Sequence, residues 1–329
     1  MIISFVLLVI GLVLLVKAAN WLVDGASSVA LKFKISPMVI GLTVVAFGTS
    51  APELLVSITS AMQGSTGIAL GNILGSNIAN ILLILGVSAI LYPLAVQRNT
   101  IWKEIPMSFL GAVLILVLGI QSVLDTGNFG LLTFSSTSII GSITFTNGFI
   151  LLCFFVIFMY YTFGIAKVDA DVDEEIKPRS NMLSTVLILG GLVGLALGSK
   201  LFVDSAVSIA RDLGVSELLI GLTIVSIGTS LPELVTSAVA ASKKQGDIII
   251  GNVIGSNIFN IFLILGITAL VKPIPLTGQT LIDIIILFVS TLLLFTLLFV
   301  YKKGRIARVE GVIMLAAYIS YMIYLVVRG

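Results

Sequence analysis

The sequence predicts an all-α polytopic membrane protein of ten transmembrane helices, built as two inverted five-helix repeats in which helices 2 and 7 are broken. Three observations predict it: an apolar composition, recurrent apolar runs of spanning length, and an internal duplication. Of 329 residues, 58% are hydrophobic and 10% charged, with a mean hydropathy of +1.20, more apolar than a water-facing surface carries. Apolar runs of roughly 20 residues, the length at which a helix crosses hydrocarbon, recur along the whole chain. The strands of a membrane barrel would alternate in polarity over short segments, and Ile81 to Ile90 does not alternate.

The expected spans are approximately 2–31, 38–63, 68–91, 104–124, 147–165, 182–210, 218–242, 247–270, 278–301 and 308–327. The first begins Met-Ile-Ile-Ser with no basic stretch ahead of its apolar run, so it reads as a retained span rather than a cleaved signal. Spans 2 and 7 each carry a Gly and a Pro near the middle, at Gly48 and Pro52 and at Gly228 and Pro232. Proline lacks an amide hydrogen and clashes with the preceding turn, so both helices are expected to break there. The Ser- and Thr-rich stretch 131–147 reads as an external loop or hairpin. The acidic stretch 166–181 reads as a solvated cytoplasmic linker, since its Asp169-x-Asp171-x-Asp173 run lacks the spacing of an EF-hand loop.

Residues 41–90 align without gaps on 221–270 at a constant offset of 180, with about half the positions identical. Five spans separate equivalent positions, so the second copy enters the membrane upside down. The repeats are therefore 1–165 and 182–329, and inverted repeats with interrupted helices near the midplane are an architecture of secondary transporters. With both termini outside, 13 basic residues fall on the inner face and 3 on the outer, the asymmetry of the positive-inside rule.

Composition also excludes. With no histidine, chemistry that needs an imidazole as base, shuttle or metal ligand is unavailable. Cys153 is the only cysteine, so thiolate clusters and intrachain disulfides are excluded, and its apolar run suggests a buried small hydrophobe. A net charge of +2 gives no basis for nucleic-acid binding, and the basic residues read as topology signals.

The chemistry is expected in two blocks that each occur twice. Gly48-Thr49-Ser50-Ala51-Pro52-Glu53 repeats as Gly228-Thr229-Ser230-Leu231-Pro232-Glu233. Helix interruption frees backbone carbonyls, which are tolerated in a bilayer where they line a cavity or bind a cation. A carboxylate at the bilayer centre costs at least ~2.5 kcal/mol on insertion scales, so two symmetry-related ones, Glu53 and Glu233, suggest a cation site. The alternative is local: Ser50 and Glu53 have the spacing of a capping box. The next helix in each copy carries a polar stripe, Asn72, Ser76 and Asn80 and its mirror Asn252, Ser256 and Asn260, at the spacing of one helix face. Asn77 and Asn257 project away and read as helix–helix hydrogen bonds. Gly71-x-x-x-Gly75 and Gly251-x-x-x-Gly255 offer small surfaces for close helix packing. Asp24 and Asp204 read as helix-face pairs with Asn20 and Lys200. Hard oxygens in such numbers suit Ca2+ and Na+ better than Mg2+ or a transition metal.

The duplicated Gly-Thr-Ser-x-Pro-Glu and Gly-Asn-x-x-Gly-Ser-Asn-Ile blocks resemble the alpha repeats of the calcium/cation antiporter superfamily, especially its sodium/calcium exchanger branch. The resemblance implies exchange of Na+ for Ca2+ by alternating access, with spans one and six sliding against the other eight. It implies no cofactor and no enzymatic activity, a multi-pass cell-membrane location, and function as a monomer in the bilayer. By motif match, Thr49, Glu53, Thr229 and Glu233 would bind calcium. Ala46, Ser76, Ser226 and Ser256 would join them in flanking sodium sites, Ala46 and Ser226 through their carbonyls. Asn80 and Asn260 would line the centre, supported by Ser50, Ser230, Pro52 and Pro232. Several family members carry aspartate where this chain has Asn260, a departure from the family pattern that puts potassium coupling in doubt. A Ca2+/H+ exchanger and, further off, a cation channel are the alternatives.

Overall fold

The architecture begins with a helix longer than a bilayer is thick. A computed structural model describes residues 1–127, 139–165, 179–214, 226–300 and 304–328. In order, its helices are α1 (Ile2–Phe33), α2 (Pro37–Thr49), α3 (Ala51–Met62), α4 (Thr66–Leu91), α5 (Arg98–Gly119), α6 (Gln121–Thr126), α7 (Phe145–Ile165) and α8 (Asn181–Asp212). There follow α9 (Ser226–Thr229), α10 (Leu231–Ser242), α11 (Gly246–Val271), α12 (Gly278–Val300) and α13 (Arg308–Arg328). Two short antiparallel pairings join β1 (Leu94–Ala95) to β4 (Arg305–Ile306) and β2 (Ile139–Ile143) to β3 (Ile274–Thr277). Among the described residues, eight helices are long and apolar enough to span a membrane, or nine if α2 and α3, bent by 44°, form one span. The expected seventh span lies partly outside the described residues, in 218–225; its described remainder is α9 and α10. The expected linker is likewise outside, apart from 179–181.

Local sequence explains the punctuation. Lys34 takes the left-handed conformation at φ 53° and returns its N–H to Ala30 and Leu31, closing α1. Ser36 then accepts from the Met38 amide, and Pro37 occupies the first turn of α2, where its missing N–H costs nothing. Ser180 caps α8 by accepting from the Leu183 amide at 3.2 Å.

The helices α1 and α8, 32 residues each, run about 48 Å at 1.5 Å per residue and so tilt through a ~30 Å hydrocarbon core. They lie along one another because glycines remove side chains at the seam: a Cβ on Gly191 would meet the Leu22 amide at 2.8 Å, and one on Gly11 the Phe202 amide at 2.8 Å. Their outward faces are apolar and exposed, including Phe5, Val9, Val186 and Leu189. At the opposite extreme, α4 and α11 are the most enclosed spans. Gly255 and Gly251 of α11 pack on α2, with a Cβ on Gly255 reaching Ala46 Cβ at 2.7 Å, so the small-residue motif works as expected in that copy.

Three expectations are corrected. Cys153 is exposed on the outward face of α7, because the apolar run that suggested burial faces lipid rather than core. Asp24 does not pair along its own helix: it bonds Lys243 at 2.5 Å and Arg179 at 2.9 Å, while Asn20 turns back to the Val16 carbonyl. The stretch 131–147, expected to be an external loop or hairpin, lies outside the described residues up to 138; its described part holds β2, which pairs not with a neighbouring strand of its own hairpin but with β3 from the other half of the chain.

Candidate functional site

The site is built where α2 and α9 end. Both breaks have the same backbone, Ser50 at φ −84°, ψ 5° and Ser230 at φ −88°, ψ 7°, the sparsely allowed bridge region. Pro52 and Pro232 stand in the first turns of α3 and α10, where they remove the amide that would have continued the preceding helix. The carbonyl this frees in the second copy, that of Gly228, accepts from Ser199 of α8 at 2.8 Å. Each break starts a new helix two residues before a glutamate. Glu53 and Glu233 therefore sit in the first turn, where the helix N-terminus favours negative charge.

Both glutamates are buried, at 0% and 1% exposure, and each is held by the opposite copy. Ser50 donates to Glu233 Oε1 at 3.0 Å. Ser230 lies 3.4 Å from Glu53 Oε1 and 3.1 Å from Ser76 Oγ, and Ser76 approaches the same carboxylate oxygen at 3.4 Å. The capping-box reading is thus overturned. Neither serine makes a side-chain cap on its own helix, because each is drawn across the site by the carboxylate of the other copy.

The stripe residues repeat this reciprocity. Thr49 donates to Asn252 Oδ1 at 3.1 Å, and Thr229 to Asn72 Oδ1 at 3.2 Å. Asn72 Nδ2 donates to the Glu53 carbonyl and Ser57 Oγ, and Asn252 Nδ2 to the Glu233 carbonyl and Ser237 Oγ. Asn72 and Asn252 are therefore splints between the two broken helices. Sequence reasoning missed Ser57 and Ser237; their signal is the spacing of four after each glutamate, duplicated at the repeat offset. Asn77 bonds the Ile73 carbonyl of its own turn, whereas Asn257 accepts from Asn80 at 3.0 Å, so the helix–helix reading holds for Asn257 alone.

What remains after these bonds defines the chemistry. Glu53 Oε2, Glu233 Oε2, Asn80 Oδ1, Asn260 Oδ1 and Ser256 Oγ are buried oxygens without a hydrogen-bond partner. A buried polar atom left unpaired costs on the order of 1–3 kcal/mol, and all five lie on the elements expected to meet a cation. The carbonyl of Ala46 is partly engaged, accepting from Ser50 N at 3.0 Å and Thr49 Oγ1 at 3.3 Å. Ser226 begins α9, and its side chain lies outside the described residues. No group of three or more His, Cys, Asp or Glu gathers among the described residues. The centre instead combines two carboxylates with hydroxyl and amide oxygens, the donor set of a hard cation.

Beside the two polar residues at the centre, the helices widen. π-helical turns occupy Asn80–Ile84 in α4 and Phe259–Ile264 in α11, and a third lies at Gly41–Val45 in α2. Such turns are rare and concentrate at functional sites. No residue pattern used in reading the sequence signals them.

An enclosed two-carboxylate site between broken helices, within a polytopic helical protein, defines a membrane cation carrier. The chain matches the family model "Sodium/calcium exchanger protein" over residues 3–164 and 183–327 and belongs to that family. It is 42% identical over 331 residues to the putative antiporter CaxA of Alkalimonas amylolytica, covering 98% of each chain. It is 34% identical to the sodium/calcium exchanger MaX1 of Methanosarcina acetivorans, again over 98% of each. Its fold is similar to the sodium-calcium exchanger NCX_Mj soaked with Na+ and Sr2+, with a TM-score of 0.81, 35% identity and 98% coverage of both chains. The protein is accordingly a multi-pass membrane cation antiporter of this family.

Proposed function

We propose that the chain exchanges Na+ for Ca2+ by alternating access. The observation that carries the reading is the set of unpartnered buried oxygens on Glu53, Glu233, Asn80, Asn260 and Ser256. In this reading Thr49, Glu53, Thr229 and Glu233 bind Ca2+, and the two carboxylates balance its charge. Sodium uses the same glutamates together with Ser76, Ser256 and the carbonyls of Ala46 and Ser226. Asn80 and Asn260 line the centre, while Ser50, Ser230, Pro52 and Pro232 hold the carboxylates and the helix breaks in place.

The architecture proposed for this cycle has ten spans in two inverted repeats, 1–165 and 182–329, joined by a cytoplasmic linker at 166–181. Both termini are external, the protein is in the cell membrane, and one chain suffices. The sliding unit is α1 with α8, which pack on each other along a glycine-lined seam and meet the broken helices where Leu192 and Val203 of α8 face Gly48 and Gly228. Competition between the two cations for one pair of carboxylates couples their movements, because the carrier returns only when those charges are compensated.

The same carboxylates would also accept protons, which makes a Ca2+/H+ exchanger the second reading. Radioactive Ca2+ uptake into proteoliposomes separates the two. Vesicles loaded with Na+ and diluted into Na+-free buffer are compared with vesicles loaded with K+, choline or acid. Uptake confined to Na+-loaded vesicles supports the proposal. Uptake driven by the acid load transfers the function to protons, and gradient-independent entry transfers it to a channel.

A further inference from the structure

Another buried carboxylate lies outside the candidate cation site. Glu104, near the start of α5, is 2% exposed. Its Oε1 accepts from the Tyr161 hydroxyl of α7 at 2.5 Å, and its Oε2 has no partner. Among the described residues no cation pairs with it. Lys103, adjacent in sequence and exposed, instead sits over the Tyr161 ring, with Nζ 5.5 Å from the centroid. These groups edge a cavity of about 470 Å³ whose other walls are Met107, Ile157 and Phe158. Tyr161 lies four residues before the last described residue of α7 and Glu104 in the second turn of α5, so the charged groups sit toward the ends of two apolar spans, where a lipid headgroup would reach them.

We propose that this cavity is a binding site for phosphatidylethanolamine. The primary ammonium of the headgroup donates to Glu104 Oε2, the phosphodiester pairs with Lys103, and Met107, Ile157 and Phe158 receive the first acyl carbons. Each feature selects against another lipid. The quaternary ammonium of phosphatidylcholine has no N–H to satisfy the orphan oxygen, and an anionic headgroup without an amine meets the Glu104 carboxylate with like charge. A bare divalent cation would find one carboxylate, too few for its coordination shell. Interfacial anchoring alone would account for Lys103 and Tyr161 but not for a buried acid with a free oxygen.

The test is lipid competition on the purified full chain. Protein in detergent is equilibrated with equal phosphatidylethanolamine and phosphatidylcholine of the same acyl chains, and retained lipid is counted by native mass spectrometry. Phosphatidylethanolamine is expected in excess by roughly tenfold, the factor carried by one charge-assisted hydrogen bond. Glu104→Gln should remove that selectivity, while Lys103→Gln should lower retention of both lipids and preserve their ratio. The wild-type competition stands even if the Gln variant fails to fold. Equal retention of the two lipids, selectivity that survives Glu104→Gln, or equal competition by water-soluble phosphoethanolamine would each overturn the lipid assignment.

Discussion

Each site glutamate has one oxygen fixed by a serine of the other repeat and one left over. That division allows a carboxylate to be both positioned and available: Ser50 and Ser230 engage Oε1, and Oε2 is left buried without a hydrogen-bond partner, free for the proposed cation. Glu53→Gln and Glu233→Gln keep the shape and remove the charge, so each is expected to reduce Ca2+ uptake to background while the protein elutes normally on size exclusion. Ser50→Ala frees Glu233 at its fixed end. Since a hydrogen bond to a charged group is worth about 1.5–3 kcal/mol, Ca2+ affinity should fall at least roughly tenfold, measured by equilibrium binding. At this scale the sequence displayed the residues and concealed their pairing. Ser50 and Glu53 satisfy a local capping rule that depends only on spacing, and nothing local reveals that a stronger partner waits across the repeat. Asn80 and Asn260 stood out because their positions are duplicated; Ser57 and Ser237 were passed over although they have the same signature.

Helix breaks were legible where chemistry forces them. Proline and glycine placed the interruptions of α2–α3 and α9–α10, and the observed boundaries of the long helices follow the apolar runs closely. The π turns were not legible, because no breaker or periodicity in the sequence marks Gly41–Val45, Asn80–Ile84 or Phe259–Ile264. Helix contact is testable through Gly255, whose Cβ would approach Leu42 O at 2.8 Å and Ala46 Cβ at 2.7 Å. Gly255→Val should lower stability by about 1–3 kcal/mol, the usual cost of overpacking, seen as a reduced melting temperature. Gly67→Ala, which meets nothing within 4 Å, should not reduce it. A second elemental feature is asymmetric. Asp24 of α1 is tied to Lys243 beyond α10, but the repeat-related pair is Asp204 and Gln63. Lys243→Gln should raise hydrogen exchange in 20–28 of α1, and Gln63→Lys should lower it in 200–208 of α8. No change in either segment would remove the ion pair from any part in holding α1 and α8.

For the molecule as a whole, composition established the bilayer as solvent and the duplication established two related halves. Both readings used periodicity and count, which survive without coordinates. What they could not supply is which half touches which, and the hydrogen bonds from Thr49 to Asn252 and from Thr229 to Asn72 provide it. The hydrogen bonds at the centre thereby run between the copies. Under the proposed exchange of both cations at that centre, the two fluxes are obligatory partners. The most direct test measures them together: proteoliposomes loaded with 22Na+ receive external 45Ca2+, and Na+ exit and Ca2+ entry are recorded in the same sample for wild type and Glu53→Gln. The account predicts that Ca2+ entry and Na+ exit rise together in wild type, each requiring the other ion, and that both vanish in the variant. Calcium entry that proceeds at full rate without Na+ exit, or that persists in Glu53→Gln, would contradict it.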